Sequence, residues 1–383
     1  MRLLYLPAFL MILQATLTGC RTNSAQLNIT WKDPVSLPDE GATTPVGLAG
    51  PVAGILDNLL LIGGGANFPE ALPWEGGRKY YQQQLHLYRL SEEGGCDYWK
   101  SKTVPELRSY GCSYSTPKGI VLAGGEGENG PDASVWLIRN SATGIEVESL
   151  PALPLPLTNA AGTSINNQLF IAGGESLTGM NNRFLRLSLD TPAKGWQELP
   201  ALPYPVSHAV LQNRIVNGME ELVLAGGRSR NDSDTSELYD KTWIYSVALK
   251  RWEQAGTLPY PVAAAQAVTL ADESILLIGG DDGTRFTQVE KMLGAIHQET
   301  DSSRKTDLIG KKNELQRTHP GFRKELLLLK AGESEWKLVG KLPFDPPVTT
   351  QLLRWQNQLV MPSGEIRAGV RSPFIRIGEL DRK

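Results

Sequence analysis

The residues of this chain best suited to chemistry stand near its C-terminal end, in Ser363-Gly364-Glu365-Ile366-Arg367-Ala368-Gly369-Val370-Arg371. A positioned carboxylate can take a proton in a transition state, and such help is worth typically ~10²–10⁴-fold. A guanidinium keeps its charge and binds a carboxylate through two parallel hydrogen bonds. Glu365 and Arg371 together therefore suit acid–base work on an anionic substrate, although a bare surface ion pair of the same residues would be worth only ~0–1 kcal/mol. Other groups of the same kinds are Glu75, Arg78 and Lys79 in PWEGGRK, Arg108 in ELRSYG and His208 in YPVSHAV. His208 also reads as a structural histidine, and Arg108 as a tie to a neighbouring backbone.

The elements that must position these residues repeat. A short apolar run ending in a glycine doublet recurs as LLLIGGG, IVLAGGE, LFIAGGE, LVLAGGR and ILLIGGD, with a worn sixth copy, LVMPSGE, in which Ser363 stands for the first glycine. Tryptophan followed by Leu-Pro recurs as WQELPALP, WEQAGTLP and WKLVGKLP. Repeats of roughly fifty residues with this content are the kelch signature and imply an all-β, six-bladed β-propeller. Each blade is a four-stranded antiparallel sheet, with strand A at the axis and strand D outside. Strand B ends in the doublet and strand D holds the tryptophan. The loops between strands B and C and the junctions from D to the next A open on one face. Glu75, Arg78, Arg108, His208, Glu365 and Arg371 should therefore converge on a single rim.

Blades are expected at about 46–104, 105–152, 153–202, 203–258 and 259–343. The sixth combines 344–383 with an N-terminal piece, Asn28-Ile29-Thr30-Trp31, which reads as an orphan strand D. Pairing of the two ends would hide an edge and close the ring. The last interval between doublets is longer than the others, and the extra residues, about 286–322, form an insertion. Gln288–His297 reads as helical and the charged stretch after it as loop, either solvated surface or a cap on the mouth.

The segment GEIRAGVR resembles the Gly-Glu-x-basic-Pro-Gly-x-Arg segment of bacterial N-acetylneuraminate epimerases (sialic acid mutarotases). GGGANF…PWEGGRKYYQQQLHLY and RSYG at 108–111 are similar to two further segments of that family. The order of segments resembles its cyclically permuted branch, which a ring tolerates because each blade contacts only its neighbours. The resemblance implies a mutarotase that exchanges the α and β anomers of N-acetylneuraminate, with Glu365 as proton acceptor and Arg371 serving the site. Arg108, Arg78, His208 and Glu75 join Arg371 as expected substrate-binding residues. It implies an acidic sugar as small-molecule partner, no cofactor and no metal. Ala368 replaces the family's proline and Ser363 breaks the doublet. The competing reading is a non-catalytic kelch propeller that binds a glycan or a partner protein. A copper oxidase on kelch blades is disfavoured, since the four histidines are scattered.

Residues 1–19 read as a signal peptide: Arg2, an apolar run from Leu3 to Ile12, then Leu17-Thr18-Gly19-Cys20, which resembles a lipobox with Cys20 as the lipidated residue. Residues 20–27 would be a tether, 28–383 the propeller, and the protein an exported periplasmic or outer-membrane lipoprotein of a Gram-negative bacterium, touching membrane only through its anchor. Cys96 and Cys112 could pair in an exported protein or remain free thiols. A formal charge of -3 over 383 residues leaves no basic field for nucleic acid.

Overall fold

The computed structural model describes residues 27–38, 46–142, 144–230 and 235–381. The expected signal peptide, Cys20 and most of the tether lie outside them. Six four-stranded antiparallel sheets surround one axis. The innermost strands are Ala49–Leu56, Cys112–Thr116, Ala161–Ile165, Val210–Val216, Gln266–Thr269 and Leu353–Trp355. Neighbouring inner strands touch in a closed cycle, the sixth against the first, and enclose a channel of about 640 Å³. Apolar residues alternate with the pleat and interdigitate between adjacent blades, so the core is a ring of inter-blade layers rather than one central mass.

Closure follows the expected route. Ile29–Trp31 pairs with Phe374–Leu380 as the outer strand of the sixth blade, Ile29 opposite Leu380 and Trp31 opposite Gly378. Trp31 meets Phe344 edge to face at 5.0 Å. The two chain ends thereby cover an edge that would otherwise offer unpaired backbone groups.

The repeated motifs have a common cause in blade-to-blade contact. Gly173 has φ +64, and a Cβ there would lie 2.1 Å from the Val206 carbonyl oxygen of the next blade. Gly174 then donates its N–H to that same oxygen at 2.8 Å. Only a residue without a side chain can approach so closely. The tryptophans tie backwards: Trp196 Nε1 donates to the Pro151 carbonyl at 2.8 Å and Trp252 Nε1 to that of Pro200 at 3.1 Å, each reaching the Leu-Pro segment of the preceding blade.

Ser363 keeps the left-handed backbone of the glycine it replaces, at φ +58, and is fully buried. Its Oγ accepts from Leu48 N at 2.8 Å and donates to the Ser372 carbonyl at 2.7 Å. The hydroxyl thus bridges the last blade to the first. Cys96 and Cys112 are both free and buried, in different inter-blade layers; the alternative of a disulfide is not taken up.

The insertion corrects one expectation. Instead of a single helix and a loop it forms two helices, α1 (Thr284–Gln298) and α2 (Ser302–Arg317). The stretch read as loop is held by an N-cap, Asp301 accepting from Arg304 N at 2.8 Å, and by charge pairs along the helix, Asp307 with Lys311 and Glu314 with Arg317. High charge marks a solvated helix as readily as a loop when caps and i,i+4 pairs are supplied.

Replacing Ser363 with Ala should lower stability by about 1–3 kcal/mol, because the buried Leu48 N–H loses its acceptor. Ser363→Gly should cost about 1 kcal/mol less, since it relieves the left-handed backbone. Urea unfolding of the three proteins checks this; equal midpoints for wild type and Ser363→Ala would remove the bridging role.

Candidate active site at the channel mouth

The residue after the doublet occupies one structural position in five of the six blades. Glu126, Glu175, Arg228, Asp281 and Glu365 each form a short bridge with the preceding junction, at Ser109, Thr158, Ser207, Ala263 and Val348 in turn. The next residue along each junction is left-handed: Tyr110, Asn159, His208, Ala264 and Thr349 have φ between +50 and +58, and Gly50 in the first blade +62. Their backbones join around the axis. Gly50 N donates to Thr349 O, Tyr110 N to Gly50 O, Asn159 N to Tyr110 O, His208 N to Asn159 O and Ala264 N to His208 O, at 2.6–2.9 Å. This collar holds the side chains beside it at the mouth of the channel.

Beside the collar, between blades four and six, lies a cavity of about 240 Å³. Its polar wall includes His208, Arg228, Asp281 and Glu365; α1 roofs it with Phe286 and Val289, and Phe322 closes the far side. The roof is tied to blade four by Glu290, which accepts from Ser236 N at 2.7 Å and from Ser236 Oγ at 2.8 Å.

Glu365 and Arg371 come together through local structure. Glu365–Arg367 and Val370–Arg371 form a hairpin with Glu365 opposite Arg371. Gly369, at φ +81 in the turn, donates its N–H to Glu365 Oε1 at 2.5 Å, and Arg371 Nη2 lies 3.6 Å from Oε2. Burial raises the Glu365 pKa above the ordinary carboxylate value; Arg371 and the Gly369 N–H oppose that shift. Arg371 stands behind Glu365, only 6% exposed, stacked over Phe68 at 4.4 Å. Its Nε and Nη1 are buried, and the Tyr110 hydroxyl hydrogen-bonds with the guanidinium.

His208 shares the cavity. Its Nδ1 lies 3.0 Å from Ser207 Oγ, 3.4 Å from Glu175 Oε1 and 3.4 Å from Arg228 Nε. Burial lowers its pKa, aided by Arg228 and opposed by Glu175. Glu175 is driven the other way. Burial disfavours its charge, but His208, Arg228 and Ser207 outweigh that and bring it to about 2. Arg228 donates from Nη2 to Glu175 Oε1 at 3.2 Å and stacks on Phe286 at 4.6 Å.

The other expected site residues stand apart from this cavity. Arg108 donates from Nε to Asp132 Oδ2 at 3.0 Å and from Nη1 to the carbonyls of Pro105 and Leu107, both at 3.0 Å. Arg78 is 70% exposed and pairs with Glu128 at 3.6 Å. Glu75 accepts from Leu72 N at 3.1 Å and so closes its own turn. The mouth thus unites Glu365, Arg371 and His208 and leaves Arg108, Arg78 and Glu75 in structural contacts. Arg228, Asp281 and Glu175 were missed from the sequence. The signal was present in the residue that follows the doublet, which is an acid in four copies and arginine in a fifth while the rest of the motif repeats.

Comparison with known proteins gives a consistent relationship. A sequence model of the N-acetylneuraminate epimerase family matches residues 150–383. The N-acetylneuraminate epimerase of Brucella melitensis biotype 1 is 26% identical over 239 residues, 60% of this chain and 58% of that protein. That of Yersinia pestis (strain Pestoides F) is 25% identical over 242 residues, 62% and 59%, and that of Salmonella typhimurium (strain LT2) is 24% identical over 229 residues, 59% and 57%. The chain therefore spans under two thirds of the length of the curated relatives it matches.

The raised pKa of Glu365 has a consequence for stability. Below the unfolded value of ~4.3 the group is protonated in both states. As pH rises through that value the unfolded chain releases its proton first, so the native protein loses stability until pH passes the folded pKa. A Glu365→Gln variant does not titrate, and its stability relative to wild type should increase from about pH 4 to about pH 7. Urea unfolding at both ends of that window checks the sign; a constant difference would reject it.

Proposed function

The chain belongs to the N-acetylneuraminate epimerase family, and from that premise we propose that it is a mutarotase that speeds exchange between the α and β anomers of N-acetylneuraminate or a close acidic relative. The observation that carries the reading is the roofed cavity at the channel mouth, with Glu365 in its wall and Arg371 3.6 Å behind it.

A 2-keto sugar acid changes anomer by opening its ring. The hydroxyl proton leaves the anomeric carbon's oxygen, the bond from that carbon to the ring oxygen breaks, and the ring oxygen gains a proton. Rotation presents the other face of the ketone and closure reverses the transfers. Glu365 takes the hydroxyl proton. Its raised pKa brings it nearer neutrality, where a carboxylate exchanges protons most effectively, while Arg371 keeps the ionised form accessible. The substrate carboxylate needs a fixed cation, and Arg371 holds its guanidinium 3.6 Å from Glu365. Arg228 adds a second guanidinium in the cavity wall. Phe286, Val289 and Phe322 exclude water, which strengthens each of these interactions.

The test is proton NMR of anomer exchange after a sialidase releases α-N-acetylneuraminate. Wild type should speed the exchange, and Glu365→Gln should reduce the catalysed rate by roughly 10²–10⁴-fold. Exchange at the buffer rate with wild type would reject the mutarotase; sugar bound without acceleration would leave a binding module. Arg371→Ala should raise KM for acidic sugars by at least about tenfold, the loss of a charge-assisted pair. An unchanged KM would remove the carboxylate from Arg371.

A further inference from the structure

Ring opening needs a proton donor as well as an acceptor, and besides Glu365 the cavity offers Asp281 and two histidines, His208 and His319. His208 has its Nδ1 held among Ser207, Glu175 and Arg228, and burial with the Arg228 charge disfavours the imidazolium. An imidazole without its second proton is a poor acid. Asp281 is placed differently. It occupies the position equivalent to Glu365 on the adjacent blade, each bridged to its own junction, Asp281 to Ala263 and Glu365 to Val348. Both line the same cavity. Its Oδ1 accepts from Gly283 N at 2.8 Å, which fixes the carboxyl plane. Among the described residues Oδ2 has no hydrogen-bond donor, and Asp281 lines the cavity.

Resting on the mutarotase reading, we propose that Asp281 is the general acid of the site, giving its proton to the ring oxygen while Glu365 takes the proton of the anomeric hydroxyl. The two carboxyls then work as a pair that carries one exchangeable proton. In the opening step the bond between anomeric carbon and ring oxygen breaks, its electron pair goes to the ring oxygen, and that oxygen receives the Asp281 proton. The hydroxyl oxygen becomes the ketone and its proton passes to Glu365. Closure on the other ketone face returns the Glu365 proton to the ketone oxygen and the former ring hydroxyl's proton to Asp281. Atoms and charge balance over the cycle without a cofactor.

The surroundings suit that division. Burial raises the Asp281 pKa; the Gly283 N–H and Arg228 oppose it, while the neighbouring charges of Asp282 and Glu365 add to it. Arg371 faces Glu365 and holds that partner's charge instead. Two carboxyls in one apolar pocket cannot both ionise cheaply, so one retains its proton. The remaining titratable groups in the cavity wall, His208, His319, Arg285 and Arg228, carry no acidic proton of comparable availability. The position sits in the ILLIGGD copy of the repeat, where the doublet's follower is aspartate rather than glutamate.

The experiment compares wild type, Asp281→Asn and Asp281→Glu by NMR anomer exchange across a range of pH, with N-acetylneuraminate affinity measured by calorimetry. Asparagine keeps the acceptor for Gly283 N–H, and thermal unfolding checks that the variant is folded. Asp281→Asn should lose roughly 10²-fold in exchange rate with affinity within about threefold of wild type, and the fall of the wild-type rate at high pH should vanish. Asp281→Glu should restore part of the rate and that alkaline fall. If wild type is active and Glu365→Gln is not, but Asp281→Asn keeps the full rate and the same pH profile, the assignment of Asp281 is overturned and the mutarotase stands. If wild type itself is inactive on the sugar, the mutarotase reading fails first and takes the assignment with it.

Discussion

The collar of left-handed residues at the mouth is the constraint on which the rest of the molecule depends. Six inner strands begin there, and successive blades join through backbone N–H and carbonyl groups of Gly50, Tyr110, Asn159, His208, Ala264 and Thr349. A left-handed conformation costs a non-glycine residue about 1–2 kcal/mol. It persists because each turn shares a hydrogen bond with an adjacent blade, worth about 1 kcal/mol net and far more to leave unmade when buried. The collar also explains why chemistry gathers here. With the backbone pinned by its neighbours, the side chain after each doublet is free to vary without disturbing the fold.

That freedom is used unevenly around the ring. On one side Glu126 is engaged by Lys79 and by Tyr81, each at 2.7 Å. On the other, Glu365 and Asp281 face a cavity, and Arg228 and Glu175 brace His208 beside it. The difference lies in what covers them. The inserted helices shelter blades four to six, and α1 supplies Phe286 and Val289 to the roof. Removing water from that arc raises the pKa of Glu365 and of Asp281, the two carboxyls that face the cavity. A single inserted segment thereby converts part of a repeating rim into a site.

Ser363 and Ala368, the two departures from the family pattern, sit at opposite ends of the same hairpin. Ser363 turns a missing glycine into an inter-blade bridge through its hydroxyl. Ala368 lines the cavity directly, in the turn whose Gly369 N–H grips Glu365. The turn holds its shape through that hydrogen bond and the left-handed glycine rather than through a proline ring.

The amino-acid sequence by itself determined the wheel of six blades, its closure by Ile29–Trp31 and the pairing of Glu365 with Arg371. These are legible because their causes are local: doublets that must pass close to a carbonyl, tryptophans that reach a Leu-Pro carbonyl, and a hairpin short enough that two residues six apart must face each other. The tertiary structure alone decided that Arg108, Arg78 and Glu75 are spent on nearby partners, that α2 exists, and that Asp281 and Arg228 join His208 in a wall with Glu365. Those outcomes depend on which blades an insertion shelters and which groups it strips of water. Such facts concern distances between segments far apart in the chain: the residue after each doublet marks the candidates, and the fold decides which of them meet.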